Sequence, residues 1–552
     1  MLFKLAETFN VSFKMAIPVV LVASFFASID FIIIGNCLVL TILFYKKNKA
    51  IFLYISAVLA FLGLFIKTSI GVSSLSVIFV SLLIDFYHNK NIIKSLKQIG
   101  VITILGMTFG LIVFQGFIPL FQFFWGAFKL SSGYGETLSL FPPNNKILIL
   151  LFIVLILSFP VWNKEKDVRI AFLLSVFPLF ASWKHSFIRQ DIYHYAVIVT
   201  FLFIFWSIMM LISSKKQIAT FIVACCTILL LYANMKPLPM YRGINKEIVG
   251  INNFTDVLNY RDFKQRMLSI SEQNIAPNRL TEEQRALIGD KTMDVYPWEF
   301  SYISANGISW KPRRTLELGA STSQWASMEA SKNYLLKKDS PEFILFHYQK
   351  DRYDNNLGSI DDRYILNDEP LVIYNILNNY LLEEKTDKFL LFKKDITSHF
   401  EKPILENVQN LHFNEWIDLP LSQNKSEIIR LKVISKNTFW GTIKKMLYKE
   451  AEYYIDYMLA NGDVYTYRYI PKTAVDGLWC SPFIQNPKSD IIENDVVKIR
   501  LHNNSSRCIS PEIIIQFEKL RLKTDYIDTT ASSINSFLFK KTEIQTDIIE
   551  NN

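Results

Sequence analysis

The first 235 residues are a succession of apolar runs, and no other feature restricts the fold as strongly. About 20 apolar residues carry an α-helix across the hydrocarbon of a bilayer, where only a helix or a closed barrel satisfies every backbone group. The candidate segments are 13–45, 50–66, 69–87, 100–120, 147–162, 170–183, 196–213 and 218–235. Tilt or local thinning accommodates the shorter ones. The first run fits one tilted helix or two short ones, with Asp30 near its middle. A hairpin places Asp30 among the headgroups, whereas a single helix buries it at high cost, so the hairpin is preferred. The expected fold is a polytopic α-helical membrane domain of about 8–9 spans, at this run length. Only Lys4 precedes Glu7, and no small-residue cleavage site follows the first run, so that run is expected to be retained.

The charges follow the same division. Residues 1–235 hold 18 Lys+Arg against 7 Asp+Glu, and the rest hold 41 against 43. The pI near 9.0 therefore reflects loop lysines of the apolar half and not a nucleic-acid-binding face. Lys46, Lys47 and Lys49 follow the first run, Lys90, Lys94 and Lys97 the third, Lys164, Lys166 and Arg169 the fifth, and Lys215 and Lys216 the seventh. The intervening connections are poorer in cations. The positive-inside rule makes the lysine loops cytoplasmic and the half beyond residue 235 extracytoplasmic, in a bacterial inner or plasma membrane.

Two connections on the far side carry chemistry. One, at 121–146, contains Ser131-Ser132-Gly133-Tyr134-Gly135-Glu136 and Pro142-Pro143 and reads as a structured loop with Glu136 as its only acid. The other, at 183–195, gathers Lys184, His185, Arg189, Asp191 and His194 between two apolar runs. Interfacial anchoring accounts for any one of these residues. As a set they offer more. Lys184 and Arg189 suit a phosphate, with His185 beside them. Asp191 can orient His194 or His185 as a general acid or base.

Residues 236–396 read as an extracytoplasmic α/β subdomain. A helix start is marked by Thr281 with Glu282 and Glu283. Strands are expected at 293–296, 342–348 and 389–392, and helices at 321–336 and 369–382. Arg313-Arg314 reads as a solvated turn. Residues 397–524 read as an extracytoplasmic β-sandwich with no further helix. Residues 427–434 alternate, with Ile429, Leu431 and Val433 on one face and Arg430 and Lys432 on the other. Asn461-Gly462 between 452–459 and 464–470 is a hairpin signal, and 496–502 and 512–520 supply further strands. Tyr453, Tyr457, Tyr465, Tyr467, Tyr469 and Trp479 serve either as packing or as platforms for sugar rings, and so do Trp298, Trp310 and Trp325. Residues 525–552 are a polar tail. Cys480 and Cys508 are the two cysteines of the outer half, and an oxidising compartment makes a bridge between them plausible. No Cys or His spacing suits zinc, and neither a cofactor nor a divalent metal has a residue pattern in its favour.

A polytopic membrane half followed by an extracytoplasmic globular half, with Leu-Ser-Ser-Gly-Tyr-Gly-Glu-Thr-Leu-Ser-Leu at 130–140 and the segment 184–194, resembles bacterial GT-C-type membrane glycosyltransferases. The resemblance implies transfer of a sugar from a polyprenyl-phosphate donor to a glycan acceptor on the far side of the membrane. It also implies a catalytic acid in a large loop soon after the first span. This chain has no such large loop, and Asp30 is the only acid in a matching position. The departure has two readings, a chain without the leading spans or a relative without activity. Chemically, Asp30, Glu136 or Asp191 would be the base, and Lys184 and Arg189 would hold the phosphate. The leading expectation is a glycosyltransferase-like protein of surface-polysaccharide or glycoconjugate assembly. The alternative is a non-catalytic, membrane-anchored glycan-binding or assembly protein. A transporter comes third, because the spans show no internal repeat.

Overall fold

The computed structural model describes residues 1–25, 29–140, 165–189, 191–213, 258–316, 323–335, 338–420, 427–487 and 496–523. The expected spans at 147–162 and 218–235, and the pair Pro142-Pro143, lie outside the described residues. The chain divides into two compact units: residues 1–127 with 140–260, and residues 128–139 with 261–552.

The first unit is helical. The run 13–45 forms two helices, Phe13–Phe25 and Ile29–Lys47, as the hairpin reading requires. Phe9 lies under the Lys46 ammonium, 5.0 Å from ring centroid to Nζ, so the chain enters beside the end of the second helix. Helices Ala50–Ile66, Thr68–Asn89, Ile92–Phe114, Lys166–Arg189 and Ile192–Ile212 follow. Three of them, Thr68–Asn89, Ile92–Phe114 and Lys166–Arg189, are long and apolar enough to cross a membrane, and Ala50–Ile66 and Thr200–Ile212 are shorter apolar segments. A cluster of Cys37, Leu53, Ala57, Ala60 and Ile78 joins the early helices. Small residues allow close approach there, as membrane helices use them: a Cβ on Gly71 would come within 2.2 Å of the Leu64 Cα. Elsewhere the helices turn apolar side chains outward, such as Phe79, Ile104 and Ile112, where a helix in water would be polar.

Charges sit in two layers. At one end, Lys46 pairs with Asp167 at 2.6 Å and Lys94 with Asp85 at 3.1 Å. At the other, Lys67 pairs with Asp30 at 2.9 Å. Asp30 and Lys46 lie on one helix and are separated by about 24 Å at 1.5 Å per residue; Lys67 and Asp85 are separated by about 27 Å. Both lengths match a hydrocarbon core of about 30 Å.

Three expectations for residues 100–189 differ from the structure. The run 100–120 is not one span, because the helix begins at Ile92 and ends at Phe114, where Gln115 turns to φ 54°. The first half of the 121–146 connection is helical, as Phe117–Ser131 and Tyr134–Leu138. The helix ending the run at 183 continues to Arg189, since Lys184 and His185 are good enough helix formers to prolong it.

The second unit begins with a mixed sheet built from β1 (Thr292–Tyr296), β2 (Ser309–Trp310), β3 (Phe343–His347), β4 (Tyr380–Lys385) and β5 (Phe389–Lys394), in the order β2-β1-β3-β5-β4. β1 runs parallel to β2 and β3, and β5 antiparallel to β3 and β4. Helix Glu282–Ile288 starts with a capping box: Thr281 Oγ1 accepts from the Gln284 amide, and Gln284 returns the bond. Arg313 is no solvated turn. It is fully buried, donating to the Thr315 carbonyl at 2.8 Å and the Tyr334 hydroxyl at 3.2 Å, near Asp294, whose Oδ2 accepts from Tyr334 at 2.8 Å.

Two antiparallel sheets follow. Their strands are β6 (Ile404–Leu405), β7 (Gln409–His412), β8 (Trp416–Asp418), β9 (Glu427–Asn437), β10 (Tyr453–Leu459), β11 (Val464–Tyr469), β12 (Leu478–Ser481), β13 (Val496–Asn503) and β14 (Ile509–Arg521). The orders are β11-β10-β13-β8 and β12-β9-β14-β6, with β7 also on β14. The Asn461-Gly462 hairpin forms, Met458 facing Val464 and Gly462 at φ +91°. One buried cluster runs from Ile344 and Phe392 through Leu431 and Val433 to Ile455, Leu501 and Ile515. Tyr453, Tyr457, Tyr467, Tyr469 and Trp479 are buried in the unit. Arg430, expected outside, is buried: it donates to the Gly477 carbonyl at 3.1 Å and lies over Tyr374 at 5.4 Å, because helix Pro370–Asn379 covers that face of β9. Helices do not stop after Asp395 either. Thr438 caps Phe439–Leu447, its Oγ1 accepting from the Gly441 amide at 3.0 Å.

Cys480 and Cys508 are both free. Strand register explains why they do not meet. Trp479 pairs with Arg430 and Ile509 with Asn437, so the two cysteines flank points on β9 about 23 Å apart at 3.3 Å per residue. A disulfide needs Cα atoms within about 7 Å. Alkylating the denatured, unreduced protein is expected to modify both thiols, and Tm is expected to be unchanged by reductant. A peptide pair linked through Cys480 and Cys508 would contradict this register.

Candidate functional site

The charged layer at the Asp30 end of the helical unit is the first candidate. Four helix ends supply it. Asp30 is in the first turn of Ile29–Lys47, Lys67 immediately precedes Thr68–Asn89, Arg189 ends Lys166–Arg189, and Asp191, extended, precedes Ile192–Ile212. Asp191 caps the last helix: Oδ1 accepts from the His194 amide at 3.0 Å and lies 2.8 Å from His194 Nδ1. An ionised carboxylate only accepts, so Nδ1 is the donor in this pair, and in the neutral ring that tautomer leaves the lone pair on Nε2. Arg189 Nε donates to the other Asp191 oxygen at 3.2 Å. The His185 ring stacks on His194 with centroids 5.1 Å apart. His185 also feels the charges of Lys67, Asp30 and Asp191. Residues more than 150 positions apart in the chain thus share one electrostatic neighbourhood.

That grouping resolves which imidazole Asp191 orients: it is His194. Arg189 is drawn toward Asp191, and Lys184 sits one position before His185 on the helix. Lys67 is the member that sequence reasoning missed. Its signal was a lone lysine between two apolar runs, on the side where cations are scarce.

Glu136 falls in the other compact unit. The short helix Tyr134–Leu138 presents it, and buried Arg468 holds that turn by donating to the carbonyls of Glu136 at 2.9 Å and Thr137 at 3.0 Å. Lys445 Nζ lies 2.6 Å from Glu136 Oε1 and 2.8 Å from Glu450 Oε2, and Lys472 Nζ is 3.5 Å from Glu136. Gly135 makes room for Glu450, whose Oε1 would lie 2.6 Å from a Cβ there. Burial, and then the Glu136 carboxylate, push the Glu450 carboxyl up to about 8, against the pull of Lys445. Glu136 Oε2 is buried without a hydrogen-bond partner.

A cleft of about 480 Å³ opens at Glu136, lined among others by Ser132, Trp325, Ser435, Asn437, Tyr453 and Lys472. A buried acceptor, amide and hydroxyl groups, an ammonium and a part-exposed indole suit a polyhydroxylated ring better than a flat apolar ligand. Lys445, Glu450 and Lys472 left no sequence signal, because they lie some 300 residues from Glu136 and meet it only through the fold. Among the described residues, Tyr453 is the one aromatic of the two antiparallel sheets that lines this cleft, and Trp325 joins it from helix Gln324–Ser331.

No protein family, curated protein or solved structure matches the chain.

The Glu450 carboxyl makes a pH prediction. Between its ordinary value and about 8, the folded chain holds a proton that the unfolded chain releases. That contribution is complete below the ordinary carboxylate range and is lost as pH rises toward 8, by at most about 1.4 kcal/mol per pH unit. Denaturation from pH 5 to pH 8 is expected to show a falling stability in the wild type and a flatter profile in Glu450→Gln. Parallel profiles would remove Glu450 as their source.

Proposed function

We propose that the chain is a multi-pass membrane protein of the glycosyltransferase type, acting on a polyprenyl-phosphate-linked sugar during surface-polysaccharide or glycoconjugate assembly. The observation that carries this reading is the convergence of Asp30 and Lys67 with the His185–Arg189–Asp191–His194 group at one end of the helical unit. The lysines at the opposite end, Lys46 and Lys94 among them, mark it as cytoplasmic, so the converging residues face the extracytoplasmic side. On this reading the described helices and the apolar sequences at 147–162 and 218–235 account for about 8–9 spans, at about 20 residues per span. The C-terminal unit is then extracytoplasmic, and its two antiparallel sheets form a β-sandwich around their common core.

The chemistry needs two parts. An acceptor hydroxyl must lose its proton, and the leaving phosphate must be stabilised as its charge develops. His194 Nε2, with its tautomer fixed by Asp191, is a base of the right kind, and Asp30 is a second. Lys67 and Arg189 supply the positive charge for the phosphate. Each replaces part of its present carboxylate pairing with a bond to the lipid phosphate.

The test is binding of a polyprenyl phosphate to the full chain in nanodiscs. Lys67→Ala and Arg189→Ala are each expected to weaken saturable binding about tenfold or more, the scale of one charge-assisted hydrogen bond. Glu136→Gln is expected to leave it unchanged. Binding that ignores both cation replacements would sink the proposal.

The cleft at Glu136 favours a second reading, a glycan-recognition protein without catalysis. In that case Glu136→Gln and Trp325→Ala weaken binding of an oligosaccharide by about tenfold each, while Asp30→Asn and His194→Ala leave biological function intact. Loss of function in Asp30→Asn at normal abundance would exclude it.

A further inference from the structure

Helix Phe439–Leu447 has its faces reversed relative to a helix packed on a water-soluble domain. At about 100° per residue, Gly441, Lys444 and Lys445 share one arc, and Phe439, Trp440, Ile443, Met446 and Leu447 share the opposite one. The polar arc faces the protein. Lys445 bonds Glu136 and Glu450, Lys444 donates to Ser505 Oγ at 3.2 Å, and a Cβ on Gly441 would meet the Cys508 carbonyl at 1.8 Å. The apolar arc faces out, with Phe439 73 %, Trp440 68 %, Met446 63 % and Leu447 49 % exposed. A helix on a domain in water buries its apolar stripe. This one is held by its lysines and its glycine so that the stripe stays outside.

We infer that helix Phe439–Leu447 lies in the headgroup region of the bilayer and anchors the C-terminal unit there through Phe439, Trp440, Met446 and Leu447. Two observations select lipid as the occupant. The first is continuity along the chain. Helix Phe117–Ser131, which turns Phe117, Ile118 and Phe121 outward, enters the C-terminal unit with its last residues, and Glu136 follows five positions after Ser131. Lys445 is bonded to Glu136, so the reversed helix is fastened to a segment that leaves an apolar helix within a few residues. The second is chemistry. Aromatic, Leu and Met side chains on one face of a short helix, with lysines toward its base, are what an interfacial helix needs, and Trp in particular settles at the headgroup level. The inference rests on membrane insertion of the first half and is independent of any catalytic role.

The experiment is photolabelling of the full chain in phospholipid nanodiscs with a carbene reagent confined to the bilayer, followed by peptide mapping. The peptide covering 439–447 is expected to label comparably to helix Ile92–Phe114, and about tenfold or more above the hairpin tip at 460–463. Labelling of 439–447 no higher than at the hairpin tip overturns the inference. That is the result if protein, whether another part of this chain or a second copy, covers the helix instead of lipid.

Discussion

Hydrocarbon accepts an ionised side chain only at a cost of about 3 kcal/mol near the bilayer centre on insertion scales, and under the proposed membrane insertion that cost sets where the charges of the first half lie. Its described acids and bases lie within a turn or two of helix ends. They pair there, Lys46 with Asp167 and Lys94 with Asp85 at one end, Lys67 with Asp30 at the other. The long stretches between hold Ala, Gly, Ser and aliphatic side chains that pack at close range or face outward. Because each helix must begin or end its polar part in the same layer, residues far apart in the chain are forced into one thin slab. The Asp30 neighbourhood is a product of that confinement as much as of any specific packing.

The slab has chemical consequences. Asp191 caps a helix and sets the tautomer of His194 with the same carboxylate, so a structural requirement and an acid–base one are met by one residue. Lys67 answers Asp30 across a turn between two apolar helices. In the C-terminal unit the corresponding device is Arg468, which grips the carbonyls of Glu136 and Thr137 and fixes the 134–138 turn on the sheets. Glu136 then meets Lys445, Lys472 and Glu450 with one oxygen unsatisfied beside the cleft. A domain stabilised only for packing has no need of such an orphaned acceptor, and polar groups left in that state often belong to sites.

Periodic and punctuated features were legible in the sequence. The Asn461-Gly462 turn and the Thr281 cap follow from local rules that tertiary structure did not override. Features decided by coverage were not. Arg430 alternates outward in β9, yet Tyr374 and Glu518 close over it. Phe439–Leu447 was missed because nine residues with two aromatics and a glycine resemble a strand end, and only the Thr438 cap and the inward lysines make it a helix. Cys480 and Cys508 suggested a bridge by elimination, while the register along β9 keeps them apart. At the site, His185, Arg189, Asp191 and His194 were visible as a local cluster. Their meeting with Asp30 and Lys67 depends on helix lengths that place several ends in one layer, which composition alone does not reveal.

The most direct test of this account is the sidedness of its two charged layers. Single cysteines at positions 67 and 46, each read against the parent chain, would be exposed to a membrane-impermeant thiol reagent in sealed cells or oriented vesicles. The account predicts that position 67 reacts from the outside and position 46 only after the membrane is opened. Reaction of both positions from the same side would contradict a membrane between the layers, and with it the assignment of Asp30, Lys67 and His194 to one extracytoplasmic site.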